Sequence, residues 1–168
     1  MFFRHLLAIT VLPFTVTVLV PLWLARRNGT ALALGSSPGA VALQTIGAVV
    51  LAVGLRLFVA SLSRFADEGK GTLAPWDPPR ELVVRGPYRY VRNPMISGVV
   101  FILFGEAALL LSLSHAQWAV LFLGINLVFI PLFEEPQLAA RFGDAYLEYC
   151  RHVPRVIPRL TPWVPSRD

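Results

Sequence analysis

Two short stretches hold most of the polar chemistry of this chain. The first is Gly86-Pro-Tyr-Arg-Tyr-Val-Arg-Asn-Pro94, with Arg85 just ahead of it. Asn93 is a good N-cap and Pro94 a good first helical residue, so a helix is predicted to open there. Its unpaired N–H groups and positive dipole end, close to Arg85, Arg89 and Arg92, suit a carboxylate or a phosphate. The second stretch opens with Glu134-Glu135-Pro136 and runs to Arg151, His152 and Arg155. Two adjacent carboxylates at an apolar edge must be capped, solvated or paired. If Pro136 starts a new helix, the dipole favours them; if the preceding helix continues, they need a cation. His5, His115 and His152 are too scattered to form a metal site, and no phosphate-binding or dinucleotide glycine motif is present.

The elements that must position these groups are apolar. Of 168 residues, 55% are hydrophobic and only 15% charged, against about 25% charged in soluble domains. A soluble globule of this size cannot hide that much apolar surface. The chain reads as an all-α, polytopic membrane bundle. Four stretches are long enough to cross a bilayer: 6–25, 41–62, 96–113 and 117–133. The first is longer than a signal-peptide core and is followed by Arg26 and Arg27, so it reads as a retained helix. One cysteine, Cys150, excludes a disulfide scaffold.

Basic residues set the orientation. Arg4, Arg64, Lys70, Arg80, Arg85, Arg89, Arg92, Arg141, Arg151, Arg155, Arg159 and Arg167 share one side; Arg26 and Arg27 lie on the other. Both termini and the 64–95 loop are therefore expected in the cytoplasm, in the inner membrane of a bacterium. The net charge of +5 is a topology signal and does not point to a nucleic-acid partner. Gly47 and Gly54, like Gly98 and Gly105, lie two turns apart and suit close helix packing. Arg56 falls inside the second span, where it must snorkel or find an anion. The proline- and aromatic-rich loop, including Pro75-Trp76, reads as ordered at the interface. Leu138, Phe142, Tyr146 and Tyr149 recur at helical spacing, which predicts an amphipathic C-terminal helix at the membrane surface.

Gly86-Pro-Tyr-Arg-Tyr-Val-Arg-Asn-Pro-Met95, followed by Glu134-Glu135, Phe142-Gly143, Tyr146, Tyr149 and Val153-Pro-Arg155, resembles the integral-membrane methyltransferase superfamily. That group includes isoprenylcysteine carboxyl methyltransferases and phospholipid N-methyltransferases. The resemblance covers about residues 69–160, and the first two spans match it only as hydrophobic helices. It implies one membrane domain over 1–168, an N-terminal hairpin (1–63) ahead of a cofactor-binding core (64–168). It further implies that S-adenosylmethionine binds at the cytoplasmic face and that a lipophilic acceptor enters from the bilayer. Tyr88, Tyr90, Arg92, Asn93, Pro94, Met95, Gly98, Glu134 and Glu135 are then the expected cofactor residues. Asn93 stands where the family often has histidine and Ile96 where it often has tyrosine.

Within that frame, Glu134 or Glu135 holds the cofactor's ammonium, and Arg92 or the helix N-terminus holds its carboxylate. Arg151, Arg155 and Tyr146 are the candidate catalytic residues, either arginine orienting an anionic acceptor. A carboxylate acceptor is already nucleophilic at neutral pH, whereas an ammonium must first lose a proton. Without a well-placed base other than His152, the residues lean toward a carboxylate acceptor and O-methylation of the isoprenylcysteine type. A phospholipid amine, or a non-enzymatic membrane protein of the same fold, are the alternatives. Cysteine labelling should show the 64–95 loop reactive from the cytoplasm; labelling from the outside overturns this topology.

Overall fold

The computed structural model describes residues 10–68 and 82–164. The expected Gly71–Trp76 element and Lys70 lie outside the described residues. The regular elements of the described residues are all helices. The first helix, α1, is π-helical over Thr10–Leu19, with Pro13 inside it, and α-helical over Val20–Asn28. It ends on Gly29 at φ 61°, a left-handed stop that glycine adopts without strain. α2 spans Pro38–Glu68, α3 spans Pro94–Leu109 and α4 spans Leu113–Phe129. A π-helical turn, Ile130–Glu134, joins α4 to α5, Glu135–His152. A single 3-10 turn, Gly86–Arg89, precedes α3.

Among the described residues, two helical rods are long and apolar enough to cross a membrane: Pro38–Arg64, and Leu113–His152, which kinks at Gly143. Most of either apolar window lies outside the protein's own core, as expected where acyl chains are the neighbours. α3 is apolar but has 16 residues, below the usual spanning length. Of the four expected spans, the second and the fourth thus meet the length and hydropathy test among the described residues; the first begins outside them. α3 compensates by burial: Val99, Val100, Ile102 and Leu103 are all in the core.

The α2–α3 crossing is a glycine contact. A Cβ on Gly54 would stand 2.7 Å from Ile102 N and 2.8 Å from Gly98 O. One on Gly98 would meet Phe58 N at 2.9 Å, and one on Gly105 would meet Leu51 Cβ at 2.6 Å. The two glycine pairs anticipated on separate helices thus face each other, and backbone packs on backbone.

The far end of the bundle is tied by polar side chains. Gln44 is buried and donates through Nε2 to Ala33 O (2.7 Å) and Leu109 O (2.9 Å). His115 bonds Ser112 Oγ at 2.8 Å and Pro21 O at 3.1 Å, joining α1 to the α3–α4 turn. Opposite them, the chain after α5 runs as an extended strap. Arg92 N donates to Pro154 O (2.8 Å), Arg159 N to Tyr90 O (3.0 Å) and Trp163 N to Arg89 O (2.9 Å).

Because the crossing leaves no room for a side chain, Gly54→Leu should destabilise the protein by about 1–3 kcal/mol or more through overpacking. Thermal unfolding in detergent measures it. A variant as stable as wild type would mean that α2 and α3 are free to separate.

Candidate functional site

The strap, the segment before α3 and the rod through α5 meet at Glu135. α4 does not stop at Pro136; it passes through the π turn, with Pro131 near its start, and continues as α5. Glu135 therefore needs a cation, and it has two. Arg155 donates from Nε to Oε1 (2.7 Å) and from Nη2 to Oε2 (2.8 Å). Arg92 Nη1 lies 3.0 Å from Oε1. Such a forked guanidinium–carboxylate pair fixes orientation as well as charge.

Arg92 is held from a second side, because Nη1 also donates to Cys150 Sγ at 2.6 Å. Cys150 is half-buried and lies one helical turn beyond Tyr146. Burial holds the phenols of Tyr88, Tyr146 and Tyr149 above their ordinary range, so all three stay neutral. Tyr149 OH donates to Tyr88 O at 2.6 Å, locking α5 to the 3-10 turn.

An open cleft of about 380 Å³ lies over this knot. Its polar wall is Arg92, Glu135, Tyr146, Cys150 and Arg155; its apolar wall includes Pro131, Pro136, Ala139 and Leu147. Just outside the apolar wall, Leu132 and Phe133 are exposed, 63% and 54%, so the cleft is continuous with the lipid-facing surface of the rod.

The two adjacent glutamates have opposite environments. The hydrogen bond from Arg155 holds the Glu135 carboxyl below its ordinary 4.5, and the charges of Arg92 and Arg155 oppose the desolvation that acts upward. Glu134 is raised, first by burial and then by its neighbour Glu135, and it has no hydrogen-bond or ion-pair partner among the described residues. Close to it, the Tyr88 hydroxyl is buried without a partner, and so is Arg92 Nε. Buried polar atoms left unsatisfied mark places where a ligand's polar groups fit.

Several expected site residues are placed differently from expectation. Arg155 folds back over the cleft; Arg151 is exposed at the end of α5 and does not line it. Asn93 does not cap α3. Its N and Nδ2 both donate to Arg155 O at 3.2 Å, and Ser97 Oγ donates to Val156 O at 2.6 Å. The strap's carbonyls thus occupy the helix entrance that a bound carboxylate was expected to use. Pro94 is buried, Met95 packs on Val83 and Tyr88, and Gly98 belongs to the helix crossing. Tyr90 contributes its backbone carbonyl to the strap. The apolar face of α5 is also corrected: Tyr146 and Tyr149 pack with Val153, Leu82, Val84 and Trp163, so much of that face is covered by protein. Cys150 was not anticipated in the cleft, although its i+4 spacing from Tyr146 puts both on one helical face.

A helical bundle with apolar outward-facing rods and a charged cleft at one end fits a membrane protein with a ligand site beside its apolar surface. The phospholipid methyltransferase family model matches residues 42–145, well over half of the chain, and the protein belongs to that family. It is an enzyme, a membrane methyltransferase, and methyl transfer from S-adenosylmethionine is the general reaction of such enzymes. No curated protein and no solved structure matches the chain significantly. The matched region reaches back into α2, further than the motifs alone suggested, and ends before Arg155.

A carboxylate with a depressed titration stabilises the fold fully above its unfolded value and loses that contribution as pH falls through the folded one. Glu135→Gln should therefore cost about 1.5–3 kcal/mol near neutral pH. The gap to wild type should narrow below pH 4.5, the ordinary value for this group. Unfolding measured across pH 3–7 (roughly the carboxylate range) tests this; a gap that does not change with pH means the pair carries no net stability.

Proposed function

We propose that this protein transfers a methyl group from S-adenosylmethionine to the carboxylate of a lipophilic acceptor, at a cleft facing the cytoplasm. The observation that carries the acceptor reading is the charge of the cleft: two guanidiniums, Arg92 and Arg155, against the single carboxylate of Glu135. An anionic head group is favoured there, and the apolar wall suits the chain attached to it. The cytoplasmic placement rests on the bias of basic residues.

The residues also fit the cofactor. Glu134 and the Tyr88 hydroxyl offer acceptors to an ammonium, and Arg92 Nε offers a buried donor to a carboxylate. When bound, S-adenosylmethionine supplies an electrophilic methyl group and a thioether leaving group. Glu135 does not take the ammonium, since both its oxygens already accept from Arg155; it positions Arg92 and Arg155 instead. Arg155, about one-third exposed, has room to orient an incoming carboxylate. The neutral Tyr146 adds no charge to compete with that anion. Orientation and exclusion of water are the main contributions the protein makes to an in-line displacement.

A phospholipid amine as acceptor is the second reading, and the partnerless Glu134 favours it. Calorimetry and turnover on purified protein separate these roles. Glu134→Gln should weaken S-adenosylmethionine binding about tenfold to a hundredfold, the value of a charged hydrogen bond. Arg155→Ala should lower turnover of a prenyl-cysteine carboxylate more than it lowers cofactor affinity. Methylation of phosphatidylethanolamine, with none of the carboxylate probe, would replace the first acceptor by the second.

A further inference from the structure

Arg56 has no role in the cleft, and its position demands an explanation. It lies on α2 and is exposed on a face whose neighbours Val53, Leu55 and Val59 are 48%, 46% and 58% exposed apolar residues. It has no hydrogen-bond or ion-pair partner among the described residues. Gly54, two residues earlier, faces α3, so Arg56 points away from the bundle, toward acyl chains. A guanidinium exposed to hydrocarbon costs several kcal/mol unless it reaches an anion.

The helix crossing gives its depth. Gly54 lies against Gly98 and Ile102, and Phe58 against Gly98, so Arg56 is level with the first two turns of α3. That is about 6–8 Å inside the cleft end of the bundle, from the rise per residue of a helix. An extended arginine spans that distance while its methylenes stay against apolar surface. The anion available at that level, on an outward face, is the phosphate of a phospholipid, whose oxygens match the guanidinium fork.

We propose that Arg56 forms a binding site for a phospholipid phosphate on the bilayer-facing side of α2, in the leaflet next to the cleft. This site is separate from the methyl-transfer cleft and stands whether or not the acceptor assignment holds. Its value is that it fixes the depth of α2 in the leaflet.

Native mass spectrometry and thermal unfolding of the full chain in detergent test it, with phosphatidylglycerol, a phosphate-free diacylglycerol glycolipid and inorganic phosphate as probes. Phosphatidylglycerol should be retained and should stabilise the wild type; neither other probe should. Arg56→Gln should retain about fivefold less phosphatidylglycerol, the effect of one basic residue at a lipid surface, and Arg56→Lys should keep most of it. Equal retention by Arg56→Gln overturns the proposal, as does equal stabilisation by inorganic phosphate. A change of oligomeric state in Arg56→Gln without loss of lipid assigns the guanidinium to a second copy of the chain and also overturns it. If Arg56→Gln does not fold, equal retention of glycolipid and phosphatidylglycerol by the wild type does the same.

Discussion

A carboxylate placed where a helix leaves the hydrocarbon has few ways to stay charged, and Glu135 uses the most demanding of them. Two arginines from distant parts of the chain converge on it, Arg92 from ahead of α3 and Arg155 from beyond α5. Removing the carboxylate would leave two like charges together, and removing both arginines would leave an unpaired carboxylate in a half-dry place. The surrounding contacts make sense as support for that convergence. The strap's backbone bonds to Arg89, Tyr90, Arg92 and Asn93 deliver Arg155, and Cys150 holds Arg92 from behind.

The same convergence separates the roles of two neighbours that look interchangeable in the chain. Glu135 is satisfied by protein and Glu134 is not. One is held below the usual carboxylate range by a guanidinium fork and the other is pushed above it by burial. Adjacent residues on a helix point about 100° apart, so a step of one residue gives one carboxylate to the scaffold and leaves the other without a protein partner among the described residues.

Much of this was legible in the residues themselves. The glycine spacing on the second and third spans announced their close crossing, and Glu134-Glu135 posed a choice between a helix cap and a cation partner. The charge pattern cannot say which cations, because Arg92 and Arg155 are 63 residues apart and meet only through backbone pairing of the strap. Asn93-Pro94 has the form of a helix cap, yet the Asn93 backbone N and Nδ2 both turn to Arg155 O and its side-chain oxygen makes no cap bond. Local preference set the start of α3; the strap decided what sits there. α3 shows where hydropathy stops, since a buried core helix and a membrane helix have the same composition.

From Leu113 to Phe142 the backbone stays helical without a break. The chain stays helical through the π turn, so the apolar rod is the rod that carries both glutamates. No joint insulates the cleft from the membrane until Gly143, whose backbone leaves helical geometry beyond them. Helices answer a thicker or thinner bilayer by changing tilt, and here such a tilt moves the glutamates against a strap anchored to another helix. Bilayer thickness is thus a mechanical input to the site, acting through a lever rather than through any lipid bound in the cleft.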